Sequence, residues 1–176
     1  KNPMLGIRLI EKAYQQRALQ LNYAQGSFWV ALANLAFSYY DNGDLTEALA
    51  LYDQHIDLED TLTNYPWEYA VVLNNVAAIH QEEGNYELAS PFFGRALEIL
   101  EHHTFSEREA LLHQASIYSN AARNYQDLVR FDTAIYYHQK AIEIIKKAAG
   151  MQSPAYVAAI SGMAALYHDI GYLVES

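Results

Sequence analysis

Asn34-Leu35-Ala36…Tyr39…Gly43-Asp44-Leu45…Ala48…Tyr52 is answered further along the chain by Asn75-Val76-Ala77…His80…Gly84-Asn85-Tyr86…Ala89…Phe93 and by Asn120-Ala121-Ala122…Tyr125…Val129-Arg130-Phe131…Ala134…His138. A fourth copy, Gly162-Met163-Ala164…Tyr167…Gly171-Tyr172, runs toward Ser176. The steps from Gly43 to Gly84, Val129 and Gly171 are 41, 45 and 42 residues. A period of about 20–50 residues marks a stacked-repeat architecture, in which each unit buries its apolar face only against its neighbours.

Helical signals fill the spaces between these landmarks. Ile10, Tyr14, Ala18 and Leu21 form a one-sided apolar stripe and predict a preceding helix over about 5–22. Phe28–Tyr40 and Leu45–Leu58 form the next pair, turning at Asp41-Asn42-Gly43-Asp44, where glycine suits a left-handed cap and Asp44 with Glu47 suits the following helix start. Trp67–Gln81 and Tyr86–Leu100 repeat the arrangement around Glu83-Gly84-Asn85. The third pair is expected to open with a capping box at Ser106 and Glu109 and to end near Lys147. A last helix opens at Ser153-Pro154, with serine as cap and proline in the first turn. Repeats are therefore expected over about 28–60, 67–101, 107–148 and 154–176, within one domain spanning 1–176. The last repeat lacks its second helix, so the chain is expected to belong to a longer protein, or to self-associate through that uncovered C-terminal helix.

Small and large residues alternate in register. Ala36, Ala77, Ala122 and Ala164 recur on the first helices and Ala48, Ala89 and Ala134 on the second, where two helices cross too closely for anything beyond a methyl. Tyr39, Tyr125 and Tyr167, with Tyr52 and Phe93, are the large partners. This pattern resembles the tetratricopeptide-repeat family over about residues 28–176. The 42-residue step, and Leu73-Asn74-Asn75-Val76-Ala77 followed by Gly84-Asn85-Tyr86, Ala89, Pro91 and Arg95-Ala96-Leu97, is similar to the longer variety found in kinesin light chains and many bacterial proteins. The resemblance implies an all-α fold, a right-handed α-solenoid of stacked antiparallel helix pairs. Three departures stand out: Val129 replaces the cap glycine and predicts a different or strained turn, His55 replaces a small residue, and Pro91 predicts a mild kink.

In such solenoids the first helix of each pair lines the concave side. On that register the inward positions are Asn34, Phe37, Tyr40 and Asp41; Asn74, Asn75, Ala78, Gln81 and Glu82; Ser119, Asn120, Arg123, Gln126 and Asp127; and Ser161, Ala165, His168 and Asp169. Asn34, Asn75 and Asn120 share one place, and an amide both donates and accepts, which suits the backbone of an extended peptide. In kinesin light chains the equivalent asparagines hold peptide backbone, so the resemblance implies the same here. These amides could instead bond a neighbouring helix. Asp41, Glu82, Asp127 and Asp169 share another place at the exit end of the inner helices, where carboxylates oppose the helix dipole. They are expected either to favour a ligand carrying lysine or arginine or to form a solvated rim. Arg123 is the one clear cation at these inward positions.

Composition narrows the function. Apolar residues make up 52% and charged ones 18%, enough to bury a core without metals or disulfides. No cysteine is present, consistent with a cytoplasmic, reducing setting. No apolar run approaches the ~18 residues of a membrane span. With 21 acidic and 11 basic residues the net charge is −10, which disfavours nucleic acid and anionic membranes. Neither the histidines nor any Gly-rich loop matches a metal, nucleophile or phosphate motif, so no catalytic residue, metal or cofactor is assigned. The expected function is a non-enzymatic scaffold that binds a peptide or protein segment in its concave groove; the alternative is a sensor segment controlling an attached output domain of a larger bacterial protein.

Overall fold

The structure is a computed structural model that describes residues 7–8, 11–12, 14–15, 26–53 and 66–175. Among the described residues it is all helical. The helices are α1 (Gly26–Asp41), α2 (Leu45–Asp53), α3 (Pro66–Glu82), α4 (Tyr86–His102), α5 (Arg108–Asp127), α6 (Phe131–Ala149) and α7 (Pro154–Glu175). The pairs α3/α4 and α5/α6 make the most extensive contacts. Each new pair enters against the one before it: α3 packs on α1 and α2, α5 on α3 and α4, and α7 on α6. The result is a helical repeat solenoid, in which layers rather than a central core bury the apolar faces. Ile7, Arg8, Glu11, Lys12, Tyr14 and Gln15 are helical, and the Tyr14 ring lies 5.8 Å from Phe28. Ile10, Ala18, Leu21, His55 and Leu58 lie outside the described residues.

The alanine register governs the packing. Ala36, Ala77 and Ala122 of the first helices and Ala48, Ala89 and Ala134 of the second are all buried. Tyr52 and Phe93 fill the space beside them. Burial pushes the Tyr52 phenol up to about 12, against a smaller downward pull from its hydrogen bond with Asn75. Ala164 and Tyr167, in the last copy, are exposed. Pro91 lies inside α4 without ending it.

Two local expectations need correction. Ser106 does not cap α5: the helix starts at Arg108, with Glu107 in extended backbone as its cap residue and no side-chain cap bond, so Ser106 sits one residue too early. The turn at Val129 is not a different one. Val129 adopts φ 59, alongside Gly43 at φ 86 and Gly84 at φ 76. Its hydrogen bonds match theirs: Val129 N–H donates to Gln126 and Arg130 N–H to Tyr125, as Gly84 does to Gln81 and Asn85 to His80. Closing the orphan carbonyls of α5 outweighs the steric penalty of a left-handed valine. In the last copy α7 runs through Gly171 without a turn, because glycine tolerates helical backbone and the hydrogen-bond ladder continues. By contrast Ser153 behaves as expected, accepting from Tyr156 N–H at 3.2 Å on its Oγ.

Val129 is 63% exposed, so its side chain contributes little packing. Val129→Gly should therefore raise stability by about 1 kcal/mol, the left-handed penalty of a branched residue less the entropy of an added glycine. A urea titration should show a higher midpoint with an unchanged slope.

Candidate functional site

Stacking with fixed offset brings the same face of α1, α3 and α5 onto one surface. A hollow of about 270 Å³ is lined by Phe37 and Tyr40 from α1, by Asn74, Asn75 and Ala78 from α3, and by Ser116 and Asn120 from α5, with Tyr52 beneath. The structure thus unites six of the inward positions read from sequence. Phe37 is exposed although large and apolar, and its ring lies 6.1 Å from that of Tyr40.

The asparagines form a connected row. Asn75 Nδ2 donates to Tyr52 Oη at 3.0 Å, Asn74 Nδ2 to Asn75 Oδ1 at 3.3 Å, and Asn120 Nδ2 to Asn74 Oδ1 at 3.1 Å. Arg123 Nη2 closes the row on Asn120 Oδ1 at 2.9 Å. Part of each amide's capacity is therefore spent on the neighbouring repeat. A carboxamide offers two N–H donors and two lone pairs, so capacity for a ligand remains. Asn34 and Asp41 are exposed and line neither this hollow nor the next.

The acidic row has a structural explanation that sequence did not supply. Tyr40 Oη donates to Glu82 Oε1, Gln81 Nε2 to Asp127 Oδ2 at 3.4 Å, and Gln126 Nε2 to Asp169 Oδ2 at 2.5 Å. The residue just before each acid thus bonds the acid of the following repeat. The bond to Glu82, then burial, pushes the Tyr40 phenol up to about 12. These pairs are exposed, and each contributes little to stability by itself.

Beyond this row lies a second hollow of about 610 Å³ between α5, α6 and α7. Arg123, Gln126 and Asp127 line it, as does His138, a residue the sequence reading did not select. The signal was available: His138 stands in register with Tyr52 and Phe93, a polar group at a core position. Elsewhere, His102 at the end of α4 and His103 just after it each bond a carbonyl of α4, and His80 stacks on Phe92 at 5.8 Å. Among the described residues no group of three or more histidines and carboxylates could hold a metal ion, and no helix is long and apolar enough to cross a membrane.

Sequence models of the tetratricopeptide repeat match residues 28–102 and 114–155. Among solved structures, BtubC (BKLC) from P. vanneervenii is 20% identical over 96% of this chain and 67% of its own length, with a TM-score of 0.77. A kinesin-light-chain candidate from Podosopora anserina with nearly identical TPR-like repeats is 18% identical over 98% of this chain and 81% of its own, with a TM-score of 0.73. MamA of strain RS-1, as a double mutant, is 13% identical over 99% and 88%, with a TM-score of 0.52. At these identities the likeness concerns the fold. No curated protein matches the chain.

The unequal engagement of the asparagines is measurable. Asn75→Ala leaves the buried Tyr52 hydroxyl without its donor and should cost about 1–3 kcal/mol of stability. Asn34→Ala, at an exposed position, should stay within about 0.5 kcal/mol. Thermal melts of the two variants check the difference; equal losses would contradict the network described.

Proposed function

This chain belongs to the tetratricopeptide-repeat family, and from that premise we propose that it is a non-enzymatic protein–protein interaction scaffold holding an extended segment of its partner along the groove formed by α1, α3, α5 and α7. The observation that carries this reading is the amide row from Asn75 through Asn74 to Asn120, set beside an exposed Phe37. Amides bind a peptide main chain irrespective of its side chains, and an exposed aromatic supplies apolar contact at low entropic cost. The acids at Asp41, Glu82, Asp127 and Asp169, together with a net charge of −10, favour a segment carrying lysine or arginine along one side. Glu82, Asp127 and Asp169 accept from neutral donors, so those bonds leave their charge in place.

The test is affinity capture with this chain, followed by peptide mapping and titration of the recovered segment. Phe37→Ala should weaken binding about fivefold or more without lowering the melting temperature, because Phe37 is exposed. Binding should also weaken with salt, mainly through the on-rate, as the Debye length falls from about 10 Å at 0.1 M to about 3 Å at 1 M. A segment that binds equally well to the Phe37 variant and at both salt concentrations would place the contact elsewhere.

A further inference from the structure

Tyr52, Phe93 and His138 occupy one register position, and their polar atoms fare differently. The Tyr52 hydroxyl is met by Asn75 from the next inner helix. Phe93 has no polar atom to satisfy. His138 is only 6% exposed, and neither of its ring nitrogens has a hydrogen-bond partner among the described residues. The residue in register with Asn75 in the last repeat is Gly162. A Cβ placed on Gly162 would stand 3.3 Å from His138 Cε1, so the bare glycine adjoins the imidazole where a carboxamide serves the equivalent core residue of the first repeat. A buried polar group left unmatched is costly, and this one belongs to a residue that lines a hollow.

That space is the hollow of about 610 Å³ between α5, α6 and α7, walled by Leu112 and Ile145 on one side and by Ala155, Ala158 and Gly162 on the other. We propose that it receives a tyrosine side chain of the bound segment, whose phenol hydroxyl supplies the hydrogen-bond partner that His138 lacks within the chain. The proposal rests on the groove-binding reading above and gives it one anchor. Burial, and then the Arg123 charge, hold the His138 pKa down, so the ring is neutral, with one nitrogen donating and the other accepting. Its complement is an uncharged group that can do both. An ammonium would meet Arg123 as a like charge, and a carboxylate would enter a site with apolar walls that Asp127 also lines. The small residues of α7 leave room for a flat ring, and a phenol joins that ring to a hydroxyl.

The test follows the side-chain nitrogen resonances of the histidines in the whole chain by NMR, with N-acetyl-tyrosinamide, N-acetyl-phenylalaninamide and N-acetyl-glutaminamide as probes. The tyrosine probe should shift the His138 ring signals and the backbone amides of Ala158 and Gly162, and should bind roughly three- to tenfold tighter than the phenylalanine probe. His138→Phe places in the third repeat the residue found in the second, and should erase that preference while retaining the phenylalanine probe. Should that variant fail to fold, Ala158→Leu, at an exposed position, should exclude both aromatic probes without lowering the melting temperature. Equal binding of the two aromatic probes, tighter binding of the glutamine probe, or silent His138 signals would overturn the proposal. A captured segment indifferent to Ala158→Leu would remove the anchor yet leave the groove reading standing, whereas probe binding without capture of any segment would do the reverse.

Discussion

Close approach of helices at alanine is the constraint on which the rest of this structure depends. Ala36, Ala48, Ala77, Ala89, Ala122 and Ala134 are buried between packed helices, and a longer side chain there would drive the layers apart. The same small residue returns in the first three repeats, and each new helix pair packs against the pair before it. Positions that share a register therefore share a surface. That is why Phe37, Asn74 and Asn120, far apart in sequence, line a single hollow.

The groove is held together by the groups that would do the binding. The amide row and the bonds from Tyr40, Gln81 and Gln126 to the acids of the next repeat both cross repeat boundaries. Carboxylates at helix C-termini oppose the dipole, and an inter-repeat hydrogen bond offsets part of that cost. One consequence is that the asparagines cannot be treated as interchangeable ligand contacts, since Asn75 also serves a buried phenol whereas Asn34 is exposed.

Much of the fold was legible because it follows from local chemistry repeated in register. Gly43 and Gly84 take the left-handed caps, Ser153 caps the last helix and the alanines mark the crossings. Structure and sequence part where a local signal is outweighed by its neighbours. Val129 keeps the glycine-type turn because the hydrogen bonds at the end of α5 outweigh its steric penalty, and Ser106 misses the cap because α5 starts at Arg108. Gly171 holds the place of the cap glycines, yet α7 continues through it, since nothing in a helical backbone forbids glycine. For the site, register brings Phe37, Tyr40, Asn74, Asn75 and Asn120 to one hollow, but the bonds among such positions depend on distances between repeats that spacing does not carry. His138 carries little signal in sequence because its two register partners, Tyr52 and Phe93, are ordinary core aromatics.

The central claim, that the inner helices form a binding groove, is tested most directly by hydrogen–deuterium exchange of the whole chain with and without a segment recovered by capture. Exchange should slow along α1, α3 and α5, and at the start of α7, while the outer helices α2, α4 and α6 remain as in the free protein. Protection confined to α2, α4 and α6 would place the partner on the convex side and contradict the account.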